Sequence, residues 1–149
     1  MRVRDFYKKV TPEVDFVSTH TSIDGIIEII SQNPASRSVY VVDDDGKLVG
    51  IISVKEVLTI LGARYLQKRG VSVVHEILAK TAADIMRDAE FVSPDDDLEH
   101  ALKVAVVHNL EDLPVVENNR VIGNLDCFEL IEGIRQHHKR TPRVKGDSQ

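Results

Sequence analysis

One pattern of alternating strand and helix signals runs through this chain twice, and a fold must accommodate both copies. At an offset of 75, Phe16-Val17-Ser18 corresponds to Phe91-Val92-Ser93. At the same offset Ile23, Ile26, Ile27 and Ile30 correspond to Leu98, Ala101, Leu102 and Ala105. Each set has the i, i+3, i+4, i+7 spacing of one helix face. Ser22 and Asp97 precede these helices as N-caps. At an offset of 74, Tyr40-Val41-Val42-Asp43 pairs with Pro114-Val115-Val116-Glu117. Both are short β-branched runs that end in turn residues, Asp43-Asp44-Asp45-Gly46 and Glu117-Asn118-Asn119. A second strand follows each, Leu48 to Ile52 and Val121 to Leu125. At an offset of 73, Val54, Val57, Leu58 and Leu61 match Cys127, Leu130, Ile131 and Ile134, again with helix spacing. The unit reads strand, helix, strand, strand, helix. One copy of roughly 45 residues buries too little to stand alone, so two copies must pack together.

The lead-ins Val3-Arg4-Asp5-Phe6-Tyr7 and Ala82-Ala83-Asp84-Ile85-Met86 also correspond. This divides the chain into repeat 1 with its lead-in (1–62), a linker (63–80), repeat 2 (81–136) and a basic, disordered tail (137–149). Gly62 and Gly70 punctuate the linker, where Val71, Val74, Ile77 and Leu78 predict a short amphipathic helix.

Composition then excludes function classes. With 42% hydrophobic and 29% charged residues, an ordinary globular protein is expected. No run approaches the ~18 apolar residues of a membrane span, and the first residues lack an apolar signal core. A cytoplasmic protein is expected. The net charge of −5 is uneven: Lys139, Arg140, Arg143 and Lys145 against Asp147 give the tail +3, so residues 1–136 carry −8. An acidic body argues against nucleic acid as the ligand. The single cysteine, Cys127, excludes an internal disulfide and reads as a small packed residue. His20, His75, His100 and His108 show no metal-ligand spacing, and His137-His138 have no third ligand nearby. Asp43-Asp44-Asp45-Gly46 lacks the alternation of a calcium loop. No nucleophile elbow, phosphate loop or dinucleotide fingerprint is present, so no metal, catalytic residue or enzyme activity is expected.

The repeat resembles a tandem pair of CBS domains, the cystathionine-β-synthase-type regulatory module. The resemblance rests on Ala83-Asp84-Ile85-Met86, Leu113-Pro114-Val115-Val116 and Gly46-Lys47-Leu48-Val49-Gly50-Ile51-Ile52-Ser53 in order, and it covers Val3 to Gly133. It implies an α/β (α+β) fold of two β-α-β-β-α repeats packed sheet to sheet around a pseudo-twofold axis. It also implies two clefts between the repeats that take adenosine compounds (AMP, ADP, ATP or S-adenosylmethionine), with no required cofactor. Such modules usually form homodimers and regulate an attached or separate enzyme, channel or transporter.

The family motif at the start of the second helix is Gly-apolar-x-Ser/Thr-x-x-Asp, whose hydroxyl meets phosphate and whose carboxylate holds the ribose. Helix N-termini attract phosphate, and a carboxylate accepts from ribose hydroxyls. Copy one reads Gly50-Ile51-Ile52-Ser53-Val54-Lys55-Glu56, so Ser53 fits and Glu56 is one methylene longer. Ser53 and Glu56 are also a capping box, which needs no ligand. Copy two reads Gly123-Asn124-Leu125-Asp126-Cys127-Phe128-Glu129, where Asp126 puts a carboxylate in the phosphate position. The resemblance would set Ser53 and Glu56 against Ala89, Glu90 and Pro114, and Asp126 and Glu129 against Val14, Asp15 and Tyr40. Tyr40 stands where the family often has proline. Arg37 lies one step from a frequent phosphate-binding arginine, and Asp112 takes the equivalent place in copy two.

Two functions compete. One is a non-enzymatic adenosine-ligand sensor; the other is a structural dimerisation module with degenerate, ligand-free clefts. A homodimer is expected on helices Val54–Leu61 and Cys127–Ile134, because Ile60 and Phe128 are apolar residues off the buried stripes.

Overall fold

The computed structural model describes residues 1–9, 16–33, 37–66 and 78–140. It divides into two compact units, residues 10–90 and residues 1–9 with 91–149.

The unit of residues 10–90 is built on strands β2 (Phe16–Ser18), β3 (Ser38–Val42), β4 (Leu48–Ser53) and β5 (Arg87–Asp88), in the order β2-β3-β4-β5. Strand β2 runs parallel to β3, with Phe16 opposite Tyr40, and the other neighbours are antiparallel. The β2–β3 crossover holds helix α1 (Ile23–Gln32), whose first turn is capped by Ser22 Oγ accepting from the Gly25 N–H at 3.0 Å. Helix α2 (Val54–Tyr65) leaves β4 without a loop, and the short α3 (Ala82–Ile85) precedes β5. Val39, Val41, Ile52, Ile26 and Ile60 form the centre of its core. A fully buried side chain of this size contributes about 1.5–3 kcal/mol.

The other unit repeats the plan with β6 (Asp112–Glu117) and β7 (Arg120–Asp126), helix α4 (Leu98–His108) between Val92 and β6, and helix α5 (Cys127–Arg140) after β7. Val92 bridges Val115 in parallel, as β2 does with β3. Asp97 caps α4, accepting from the His100 N–H at 2.7 Å. The β6–β7 turn is Asn118-Asn119 with both φ positive (54° and 67°), as a tight hairpin requires. Both sheets slip register at equivalent places, between Val41 and Val42 and between Val115 and Val116.

The lead-ins are exchanged relative to the sequence repeats. Strand β1 (Lys8–Lys9) pairs with β7, with Lys8 opposite Asn124, so residues 1–9 complete the second repeat's sheet. Val3 is fully buried there, its N–H donating to Asp96 C=O and the Arg4 N–H to Pro94 C=O. Arg4 pairs with Asp95, and Met1 C=O accepts from Leu98 N–H at the start of α4. Residues 82–88 complete the first repeat's sheet in the same way. The Ala82 and Ala83 N–H groups donate to Thr21 and Thr19 C=O, and β5 pairs with β4. Met86 lies so close over Gly50 that a Cβ there would sit 2.5 Å from its sulfur.

Several boundaries differ from the sequence reading. Helix α2 runs past Gly62 to Tyr65, because Gly62 sits mid-helix with only the Leu66 side chain near it. Helix α5 carries on through His137–Arg140, the first four residues of the expected tail. Of the expected linker helix, Val71, Val74 and Ile77 lie outside the described residues, and Leu78 is exposed. The buried face of α2 is Val57, Ile60 and Ala63 rather than Val57 with Leu58. Ile60 is therefore core, and Leu58 is 61% exposed. In α5 Leu130 is buried while Ile131 and Phe128 are exposed.

Candidate functional site

The two helix starts that the sequence singled out are built alike and charged differently. In the unit of residues 10–90, Ser38 opens β3 and Ser53 closes β4, and they are register partners. Ser53 is in extended conformation (φ −92°, ψ 163°) and is the N-cap of α2. Its N–H donates to Glu56 Oε2 at 3.1 Å, which is the returning half of a capping box. The first helical N–H, that of Val54, donates to Arg37 C=O at 2.9 Å. Arg37 thus reaches this helix start through its backbone. Glu56 is doubly engaged, because Arg87 Nε lies 3.5 Å from its Oε1.

Arg87 was not among the residues drawn from the sequence. It opens β5, opposite Ile51 and two residues short of Ser53 along β4. Because β5 runs antiparallel, Ala89 and Glu90 continue along β4 away from Ser53. Both are half-buried, within the same unit as Ser53 and Glu56. The signal that would have found Arg87 is the β4–β5 register, which no local periodicity carries. Tyr40 is buried at 2% exposure, opposite Ile51, with its ring edge-on to Phe16 at 6.1 Å between centroids. It belongs to the packed sheet of its own unit.

In the other unit the register partners are Asp112 and Asp126, in the places of Ser38 and Ser53. The capping box is complete: the Asp126 N–H donates to Glu129 Oε1 at 3.0 Å, and the Glu129 N–H donates to Asp126 Oδ1 at 2.7 Å. Asp112 is buried and Asp126 half-buried. Lys8 occupies on β1 the register place that Arg87 occupies on β5. Pro114 is buried on β6 opposite Asn124, and its C=O accepts from the Val92 N–H at 3.0 Å. Val14 and Asp15 lie outside the described residues.

One start therefore pairs hydroxyls beside a guanidinium, and the other pairs carboxylates. Helix dipoles favour anions at both. At α2 the Arg87–Glu56 pair adds no net charge, whereas at α5 the carboxylates of Asp112, Asp126 and Glu129 work against an incoming anion. Among the described residues, no three His, Cys, Asp or Glu side chains are grouped to hold a metal ion. No helix among them is long and apolar enough to cross a membrane.

Comparison with known proteins agrees with this architecture. A family model described as "CBS domain" matches residues 3–63 and 82–136. A CBS domain-containing protein from Thermotoga maritima is similar over 97% of this chain and 98% of its own, with 30% identity and a TM-score of 0.73. CBSX2 from Arabidopsis thaliana, solved in complex with AMP, covers 91% of this chain and 97% of its own at 24% identity and TM-score 0.70. The CBS domain pair of protein MJ0100 was solved in complex with 5′-methylthioadenosine and S-adenosyl-L-methionine. It covers 95% of this chain and 98% of its own at 21% identity and TM-score 0.69. No curated protein matches the chain.

Proposed function

The chain belongs to the CBS-domain family as a tandem pair of its repeats, and we propose that it is a non-enzymatic regulatory module that binds adenosine-containing ligands. The ligand classes are those named for its structural neighbours: AMP for one, 5′-methylthioadenosine and S-adenosyl-L-methionine for another. The observation that carries the reading is the pair of equivalent helix starts, Ser53 with Glu56 and Asp126 with Glu129, each leaving its strand directly. We assign the adenosine phosphate (AMP, ADP or ATP) to the α2 start, where Ser53 caps the helix and Arg87 lies beside Glu56. We assign an uncharged nucleoside or a cationic sulfonium to the α5 start, where Asp112 and Asp126 present carboxylates. Ala89, Glu90, Pro114, Val14 and Asp15 remain candidates for contact with the base. Binding regulates a partner protein (an enzyme, channel or transporter) by its differential affinity for two arrangements of the module. A cytoplasmic homodimer built on α2 and α5 belongs to the same reading, supported by exposed Leu58, Phe128 and Ile131 at 61–64%.

A second reading, a structural dimerisation module with unused sites, is favoured by the Asp112–Asp126 pair and by Tyr40 filling its own sheet. A thermal-shift panel with AMP, ATP, adenosine, 5′-methylthioadenosine and S-adenosylmethionine separates the two. A ligand at 100 times its Kd adds about 2.7 kcal/mol of stability, or about 5–10 °C for a chain of this size. No shift with any of the five supports the structural module.

A further inference from the structure

We propose that Arg87 is the anion-reading residue at the α2 start, and that it changes partner when a nucleotide binds. The inference rests on the adenosine-binding reading and adds to it the residue that distinguishes a phosphorylated from an unphosphorylated ligand.

Arg87 sits at the edge of the sheet, on a strand contributed by the second repeat's lead-in. The β4–β5 register brings it opposite Ile51 and next to the helix start. Its Nε faces Glu56 Oε1 at 3.5 Å, longer than a well-made charge-assisted hydrogen bond of about 2.7–2.9 Å. Glu56 is committed elsewhere, because its other oxygen caps Ser53 N–H at 3.1 Å. The side chains of Arg87 and Glu56 are 35% and 24% exposed, so the pair is accessible to a ligand yet partly shielded from water. A phosphate is a better partner for a guanidinium than a loosely held, already capping carboxylate, since it accepts two parallel N–H bonds. Transfer of the guanidinium from Glu56 to the phosphate leaves Glu56 Oε1 open to the ribose hydroxyls. The ion pair thus holds the site together, and phosphate binding releases it. With an uncharged adenosine the exchange has no driving force, and Glu56 stays paired. At the α5 start the equivalent register place on the edge strand is that of Lys8.

Calorimetry with AMP and with adenosine on the full chain tests this through the ratio of the two affinities. Arg87→Gln is expected to weaken AMP about tenfold, as for loss of a hydrogen bond to a charged group, and to leave adenosine no weaker, because Glu56 Oε1 is then already open to the ribose. Arg87→Lys is expected to keep part of the preference. Glu56→Gln retains a capping side chain but loses the charge that holds Arg87, so the AMP-to-adenosine preference is expected to rise. That variant keeps the test alive should Arg87→Gln not fold. AMP preference in wild type should also fall as salt rises, and this slope should flatten in Arg87→Gln. Adenosine and AMP that bind with a ratio unmoved by Arg87→Gln and Glu56→Gln overturn the Arg87 assignment alone. If neither ligand binds wild type, the adenosine reading fails and the Arg87 assignment fails with it.

Discussion

Replacing Asp126 with serine isolates the charge difference between the two helix starts. Asp126 Oδ1 accepts the Glu129 N–H at 2.7 Å, and its own N–H donates to Glu129. Serine is as good an N-cap as aspartate, so the fold should lose only a few tenths of a kcal/mol. The electrostatic change is larger. A phosphate at the α5 start would lie about 4–6 Å from the Asp126 carboxylate, where two unit charges interact by about 3–4 kcal/mol at an effective dielectric of 20. Asp126 is half-buried, and screening reduces this to about 1–2 kcal/mol. The variant should therefore bind AMP about 5–30-fold more tightly at α5. Calorimetry is the assay, with adenosine as the uncharged control. Wild type should take one AMP tightly, at α2. Asp126→Ser should add a second AMP with little change for adenosine, and Ser53→Asp should weaken the first. Equal AMP occupancy of both starts in wild type would refute the charge argument. So would adenosine binding combined with no response of AMP to Asp126→Ser.

Other perturbations follow from the packing and the ion pairs. Val3 is fully buried in the unit of residues 1–9 and 91–149, so Val3→Ala should cost about 2 kcal/mol. Its loss of hydrogen-exchange protection should appear in β6 and β7 before β3 and β4, and the opposite order would contradict the exchanged lead-ins. Arg135 donates to Glu132 at 2.6 and 2.9 Å, and Gln136 donates at 3.1 Å. The Arg135 and Gln136 hydrogen bonds hold the Glu132 carboxyl down at about 2, from 4.5. A depressed carboxyl stabilises the folded chain above its unfolded value, and that contribution is lost as pH falls from 4.5 towards 2. NMR titration should show the low midpoint, and Arg135→Gln should raise it; a midpoint unmoved by that change would contradict the cause. Leu58→Glu with Ile131→Glu should give a 16.7 kDa monomer by light scattering, with a melting temperature that no longer depends on protein concentration. A wild type that is already monomeric would remove the dimer from the account.

What could be read from the chain was whatever is written locally. Offsets of 75, 74 and 73 placed both repeats, and the caps Ser22 and Asp97 accept the helix N–H groups expected of them. The strand-to-helix junctions at Ser53 and Asp126 fall where the motif put them. What long-range pairing decides was not legible. Val3-Arg4-Asp5 and Ala82-Ala83-Asp84 look like the beginnings of their own repeats, yet each docks on the other repeat's sheet, and only the β1–β7 and β4–β5 registers reveal it. Arg87 was invisible for that reason. Leu58 and Ile60 are both apolar, and periodicity alone does not say which one faces the sheet; packing selects Ile60. Gly62 looked like a stop, but a glycine inside a helix costs only about 1 kcal/mol, and α2 continues through it.

The proposed binding of an adenosine phosphate at the α2 start, built from Ser53, Glu56 and Arg87, is open to direct measurement. Amide chemical-shift mapping of the full chain during an AMP titration tests it most directly. Saturable shifts are expected to begin at Ser53, Val54, Glu56 and Arg87, with Asp126 and Glu129 moving weakly or only at higher concentration. Saturable shifts centred on Asp126 and Glu129 instead, or none anywhere with AMP, would contradict it.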